Sequence, residues 1–116
     1  MAIFYHITTP QAWAEAQTAG SYRSDSLTSE GFIHCSKPAQ IIATANHYYR
    51  GQHGLMLLAI ASEQVEAEIR QENTSGGGEL FPHIYGPLNL NAVTAIFPFE
   101  PDEDGQFKRL PEKDRT

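Results

Sequence analysis

Residues 54–61, GLMLLAIA, are the feature of this sequence that most limits its fold. The run is almost continuously apolar, yet far shorter than the roughly 20 apolar residues that a membrane-spanning helix needs. Such a run is typical of a strand at the centre of a sheet, because a central strand is buried on both faces. The sequence therefore predicts a sheet that is covered on each side.

The residues at the start of the chain predict a strand and then a helix. AIFYHI at 2–7 is rich in β-branched and aromatic types, which favours a strand. A helix is expected over about 10–19. Thr9 can cap this helix, Pro10 suits its first position, and Gly20 suits the position after its end.

A second strand and a second helix follow a polar loop that has room for one helical turn. GFIHCS predicts the strand, at about 31–35. Ser36 is expected to cap the next helix, with Pro38 in its first turn and Gly51 at its end. Residues at helical spacing give this helix one apolar face: Ile41, Ile42, Ala45, Tyr48 and Tyr49.

Three extended segments follow the central run. Residues 65–72 alternate apolar and charged types, which predicts a half-exposed strand. Residues 80–88 predict a short extended piece broken by prolines, and 92–99 predict the last strand. Two early helices and a mostly antiparallel later sheet make an α+β fold.

A single domain is expected over residues 1–99, since a chain of 116 residues fits one domain. The polar, acidic tail at 100–116 is expected to be poorly ordered or draped on the surface. The loop at 73–79 contains Gly76, Gly77 and Gly78, and we expect it to be mobile, with a lid as one possible role. It lacks the ending of a phosphate-binding loop.

Charge and cysteine content limit the classes of partner. The net charge is −6 and no basic block is present, which argues against a long nucleic acid as partner. A small anionic or nucleotide-like ligand, held by one or two local cations, stays compatible with this charge. The sequence shows no membrane span or signal peptide, and with its single cysteine it favours a cytoplasmic location.

Three of the five histidines, His6, His34 and His83, lie in strand-like segments and are the candidate catalytic residues. Side chains alternate between the two faces of a strand, so each of these histidines lies opposite an apolar neighbour that can enter the core. An aromatic residue accompanies each one: Phe4, Phe32 and Phe81. Tyr85 shares the face of His83. We therefore expect the three histidines to line one pocket with apolar walls and few polar groups.

Structural roles for the same residues stay open. A single strand histidine is as often a satisfied structural donor as a functional group. His47 and His53 are expected to be surface or packing residues. Cys35 is expected in the core, because it faces away from His34 and buried thiols are usually inert.

Three segments carry a resemblance to a known family: IFYHIT, SLTSEGFIHCS and FPHIYGPL followed by AV. Over about residues 2–97 the sequence resembles the DUF952 family of bacterial domains of unknown function. At superfamily level it is similar to the ADP-ribosyltransferases and, within them, to the tRNA two-prime phosphotransferases. This resemblance implies a split, mostly antiparallel sheet with an NAD-type ligand in its cleft.

The resemblance also implies roles for individual residues. The pair Tyr5-His6 followed by Thr8 matches the first strand motif, in which His6 would contact the ribose on the nicotinamide side. His34 and Ser36 match the second motif, and His83 would take the third position. The residues expected to bind the NAD-type ligand are Tyr5, Thr8, Tyr22, Arg23, Ser36, Phe81 and Tyr85.

The third position is where the sequence departs from the superfamily. Protein-modifying transferases have a glutamate there, and this chain has His83. The leading hypothesis is a transferase or nucleotide-processing enzyme acting on NAD or an ADP-ribose-like ligand, with no metal. The alternatives are a non-catalytic module that binds a small molecule or peptide, and a zinc hydrolase with three histidine ligands.

Overall fold

The apolar run forms a central strand in the computed structural model, which describes residues 2–73 and 78–110. The described residues form three α-helices: Pro10–Ala19 (α1), Asp25–Ser29 (α2) and Ile41–Tyr48 (α3). They form eight strands: Ile3–Thr8 (β1), Ser21–Tyr22 (β2), Ile33–His34 (β3), Leu55–Ala61 (β4), Glu68–Glu72 (β5), Phe81–Tyr85 (β6), Leu88–Asn89 (β7) and Val93–Phe99 (β8). Short 3₁₀ turns span Ser62–Gln64 and Leu90–Ala92.

The first sheet has β4 at its centre, with β1 and β8 antiparallel on either side. Every residue of β4 except Met56 is buried. His6 of β1 lies opposite Leu58, which in turn lies opposite Ile96 of β8. The prediction of a central strand covered on both faces is confirmed.

The second sheet has the strand order β3-β6-β5, again with antiparallel neighbours. A separate pair of short strands, β2 and β7, lies outside it. The two larger sheets meet where Tyr5 and Ser36 exchange backbone hydrogen bonds of 2.8 Å in both directions. The α+β class with mostly antiparallel sheets is confirmed.

Two apolar clusters cover the two faces of the first sheet. One cluster includes Trp13 of α1 and joins the first sheet to Ile33 and Ile84 of the second sheet. The other packs Ile41 and Ala45 of α3 against the opposite face. Because both sheets contribute to the first cluster, their relative placement depends on apolar burial as well as on the bridge between them.

The caps of α1 are as predicted. The Thr9 hydroxyl accepts a hydrogen bond of 3.1 Å from the backbone N–H of Ala12. Gly20 ends the helix in the left-handed region, with φ of 91°, and donates its N–H to the carbonyl of Ala16. Both contacts satisfy backbone groups that lack a partner inside the helix.

The predicted start of the next helix is wrong. The helix α3 begins at Ile41 after Gln40, and not after Ser36. Ser36 instead continues the extended path of β3 into the bridge with Tyr5, and its hydroxyl donates to Thr44 at 3.2 Å. Tyr48, expected on the apolar face, is 65% exposed. In addition, the polar loop contains the short helix α2, so the described chain has three helices instead of the expected two.

The core extends beyond residue 99, where the sequence suggested that the domain ends. Phe107 is only 1% exposed and stacks on Phe99, with 4.7 Å between ring centroids. The side chain of Asn46 in α3 donates to the carbonyl of Phe107 and accepts from its N–H. The polar composition of the segment after residue 99 gave no sign of this contact, because a single aromatic residue is enough to anchor the segment to the core.

Part of the predicted glycine loop and the chain end lie outside the described residues. Gly76 and Gly77 are among the undescribed positions, so the expected lid is not tested. Among residues 2–73 and 78–110, no helix is long and apolar enough to cross a membrane.

Candidate functional site

The candidate site is the outward face of the second sheet, here called the histidine face. It consists of Glu30, Phe32, His34, Arg70, Glu72, Phe81, His83 and Tyr85. The inward face of the same sheet packs into the core through Ile33 and Ile84, which are both fully buried. Strand alternation therefore separates the apolar anchors from the polar and aromatic groups.

His83 is the most constrained residue of the histidine face. Its side chain is 2% exposed, and its ring stacks on Phe32 with 4.1 Å between centroids and an angle of 15° between the planes. The Nδ1 atom lies 2.9 Å from Oε1 of Glu72. The ring is thus fixed by one stacking contact and one hydrogen bond to a carboxylate.

Glu72, at the end of β5, accepts two hydrogen bonds on one oxygen. Besides His83, the hydroxyl of Tyr85 donates to Oε1 at 2.5 Å. These donors, Tyr85 first, lower the pKa of the Glu72 carboxyl below its usual value. The hydrogen bond to the same carboxylate raises the pKa of Tyr85. Glu72 is therefore a carboxylate at neutral pH, held by two neighbours on β6.

His34 is the exposed partner of His83. The two residues lie directly opposite in the pairing of β3 with β6, and their rings meet edge to face at 5.2 Å. Nε2 of His34 lies 3.2 Å from Oε1 of Glu30, and both side chains are about half exposed, 47% and 49%. The face thus holds two histidine–carboxylate pairs side by side, one buried and one open to solvent.

Arg70 brings a cation to the same face. It lies opposite His83 across β5 and β6, and its guanidinium sits 4.3 Å from the centroid of the Tyr85 ring. Its Nε and Nη2 atoms donate to the two oxygens of Glu68 at 3.0 and 3.1 Å. The pair is solvent-exposed, so its contribution to stability is small and Arg70 can exchange partners.

His6 lies apart from the histidine face, within the core side of the first sheet. Its Nδ1 donates to the carbonyl oxygen of His34 at 2.5 Å, and its Nε2 lies 2.7 Å from the hydroxyl of Tyr22. Thr8 contacts the same hydroxyl at 2.9 Å. Burial lowers the pKa of His6 to about 4, and burial raises the pKa of Tyr22 to about 12.

Of the three histidines that were expected to lie together, His34 and His83 share one face of the second sheet and His6 does not. Both ring nitrogens of His6 are occupied by protein atoms, so this residue ties β1 to the backbone of β3. A neutral His6 donates through Nδ1 and carries its lone pair on Nε2, next to the Tyr22 hydroxyl. Alternation was applied correctly to β1, but the face that carries Phe4, His6 and Thr8 is buried.

The other predicted ligand-binding residues do not lie together. Thr8 and Tyr22 belong to the buried network around His6. Tyr5 packs with the cluster on the opposite face of the first sheet, and Ser36 is buried at the bridge. Arg23 is exposed beyond β2. Only Phe81 and Tyr85 lie on the histidine face.

The sequence interpretation missed Glu30, Arg70 and Glu72 as site residues. A usable signal was present, since 68–72 and 81–85 are two alternating segments joined by a glycine-rich loop, which favours a hairpin. Pairing them places Arg70 opposite His83 and Glu72 opposite Phe81. Glu30 lies four residues before His34 and reaches it from the end of the α2 turn.

The described part of the chain contains no group of three or more His, Cys, Asp or Glu side chains arranged to hold a metal ion. His6 contacts protein atoms through both nitrogens, so the three histidines do not converge on a common point. Cys35, the single cysteine, is buried, and burial raises the pKa of its thiol. The expectation of a core cysteine is confirmed.

Comparison with known proteins gives relatives in fold and sequence. The crystal structure of protein CC0527 from Caulobacter crescentus is 34% identical, with a TM-score of 0.82, over 91% of this chain and 93% of that chain. The solution NMR structure of the same protein has a TM-score of 0.78 at 34% identity, over 91% of each chain. No curated protein matches the chain. The family model described as "Protein of unknown function (DUF952)" matches residues 7–96, most of the sequence, and the chain therefore belongs to the DUF952 family.

Proposed function

We propose that this protein is a transferase or nucleotide-processing enzyme that acts on NAD or an ADP-ribose-like ligand bound over the histidine face. The observation that carries the proposal is the Glu72–His83 pair beside the exposed His34. A histidine held through Nδ1 by a carboxylate is a suitable general base, and a second histidine can donate a proton as the general acid.

The other groups on the face match parts of such a ligand. The rings of Tyr85 and Phe81 offer apolar contact for a flat base or nicotinamide. Arg70 is held by an exposed ion pair and a ring contact, so it can turn to a phosphate and donate two hydrogen bonds. The split sheet is consistent with the superfamily resemblance noted in the sequence.

Calorimetric titration of the full chain with NAD, ADP-ribose and a nucleotide carrying a two-prime phosphate tests the proposal. We expect saturable binding of at least one of them, weakened about tenfold, or ~1.4 kcal/mol, by His34→Ala. His53→Ala is the matched control, because His53 is also an exposed histidine paired with a glutamate, at 2.8 Å from Glu100. No binding of any of the three at millimolar ligand contradicts the proposal.

A non-catalytic binding module is the second candidate, and one observation favours it. The His83 side chain is 2% exposed, so a ligand reaches its ring only if a neighbouring side chain moves. Binding over His34 and Tyr85 without turnover needs no such movement. In that case a ligand would raise the melting temperature by mass action, and loss of one histidine would leave much of the effect.

Release of nicotinamide from NAD separates the two candidates. An enzyme releases nicotinamide during incubation, and His83→Gln stops the release while binding persists. A binding module shows ligand-dependent stabilisation and no release in either protein.

A further inference from the structure

We propose that Glu72 is the positioning residue of the histidine face, and that it holds His83 in the tautomer with the proton on Nδ1 and a free electron pair on Nε2. The tautomer follows from the contacts that Glu72 makes. Its use in a reaction rests on the proposed function above.

The hydrogen-bond inventory of Glu72 leads to this assignment. Oε1 accepts from the Tyr85 hydroxyl at 2.5 Å and lies 2.9 Å from Nδ1 of His83. Because both contacts lower the pKa of the carboxyl, Glu72 is ionised at neutral pH and can only accept. The atom that donates to it must be Nδ1–H. A neutral His83 consequently carries its lone pair on Nε2.

The surrounding packing restricts other ring orientations. Phe32 lies nearly parallel to the His83 ring at 4.1 Å, and the ring is almost completely buried. A 180° flip of the ring would put the Cδ2–H group in place of Nδ1, break the hydrogen bond to Glu72 and leave Nδ1 without this acceptor. The tautomer is therefore fixed by burial and by charge together.

This arrangement supplies a carboxylate next to the position at which this chain lacks the glutamate of the protein-modifying transferases. The third motif position holds His83 in place of a glutamate, and Glu72 comes from the neighbouring strand. The carboxylate then acts through the histidine. When Nε2 takes a proton from a ligand hydroxyl, the O–H bond breaks, an N–H bond forms, and Glu72 stabilises the positive charge on the ring.

Long-range proton–nitrogen NMR of the full chain, labelled with nitrogen-15 in histidine, tests the assignment at neutral pH. The His83 signals are identified by their loss in His83→Gln. Wherever the ring is neutral, we expect a protonated Nδ1 and an unprotonated Nε2 in the wild-type protein. A neutral His83 with its proton on Nε2 would overturn the proposal.

Three variants give the matched comparison. Glu72→Ala should produce a mixture of tautomers or a switch to Nε2–H, because the acceptor is gone. Glu72→Gln should keep the wild-type tautomer, since its amide oxygen still accepts from Nδ1–H. Glu68→Ala changes a residue on the same face of the same strand. Glu68 contacts Arg70 and not His83, so this variant should leave the His83 signals unchanged. An unchanged tautomer in Glu72→Ala contradicts the proposal.

Tyr85→Phe tests the same geometry with Glu72 left in place. The tyrosine hydroxyl is the largest cause of the lowered pKa of Glu72, so this variant should raise the carboxyl titration midpoint in carbon-13 NMR while Nδ1 stays protonated at neutral pH. An unchanged midpoint contradicts the shared-oxygen geometry. None of these readouts needs a ligand, so failure of NAD to bind leaves the tautomer result intact.

Discussion

Individual histidines in this protein differ in environment more than in sequence context. Each of His6, His34 and His83 lies in a strand, as the sequence predicts. The adjacent residue along each strand is apolar and points to the other face of the sheet. His6 is enclosed by Tyr22 and the backbone of β3, His83 is paired with Glu72, and His34 is half exposed. Alternation assigns a side chain to a face, but only packing decides whether solvent reaches that face.

Burial of His6 predicts a pH-dependent stability. The folded-state pKa is about 4 and the ordinary value is 6.5, so between these values only the unfolded chain takes up the proton. The contribution of His6 is therefore complete above pH ~6.5 and falls as the pH drops, with a total loss of about 3 kcal/mol by pH ~4.

Denaturant unfolding across this pH range measures the effect. His6→Gln lowers stability but removes this part of the pH dependence, so its difference from wild type shrinks as the pH falls. His47→Gln, an exposed position in α3, serves as control and should keep the wild-type slope. A difference that is constant with pH would show that His6 is not held in the neutral form.

The site is formed where strands pair, and this pairing is the part of the site that the sequence predicted least completely. The segments 68–72 and 81–85 were both expected to be extended, and both are strands. Their mutual register, which brings Arg70 and Glu72 to His83, depends on a long glycine-containing loop. Loop length and composition do not fix a register in the way that a two-residue hairpin does. For that reason two site residues were absent from the prediction.

Gly86, which links β6 to β7, lies close to the start of β5, and this predicts the effect of substituting it. A methyl group there would lie 2.9 Å from the Cβ of Ala67, the residue before β5. Gly86→Ala should lower the free energy of unfolding by about 1–3 kcal/mol, because overpacking must be relieved by shifts of the backbone.

Urea unfolding provides the measurement, with Gly78→Ala as the matched control. A methyl group at Gly78 meets nothing within 4 Å, so this variant should unfold close to wild type. Equal stability of the two variants would mean that β5 and the turn after β6 are farther apart than described.

At the scale of the whole molecule, the two larger sheets share one apolar cluster, and the chain after the last strand helps to cover the other. The apolar run at 54–61 was enough to predict the centre of the first sheet. The bridge from Tyr5 to Ser36 was not predictable, because Ser36 also suits a helix cap and local preference favoured that role. Phe107 was overlooked because the segment around it is polar.

Phe107 gives a prediction about the extent of the domain. Its ring is buried against Phe99, so Phe107→Ala should lower the free energy of unfolding by roughly 3–5 kcal/mol. Arg109→Ala, two residues later and exposed, should change little. Thermal or denaturant unfolding distinguishes them, and a neutral Phe107→Ala would place the segment after residue 99 outside the cooperative core.

The central proposal is that a nucleotide-like ligand binds over the histidine face. The most direct measurement is a titration of the nitrogen-15-labelled full chain with NAD, followed through its backbone amide signals. We predict that the largest shifts fall on the amides of His34, Arg70, His83 and Tyr85, while those of the tail around Phe107 stay constant. Shifts confined to other parts of the chain, or none at millimolar NAD, would contradict the account.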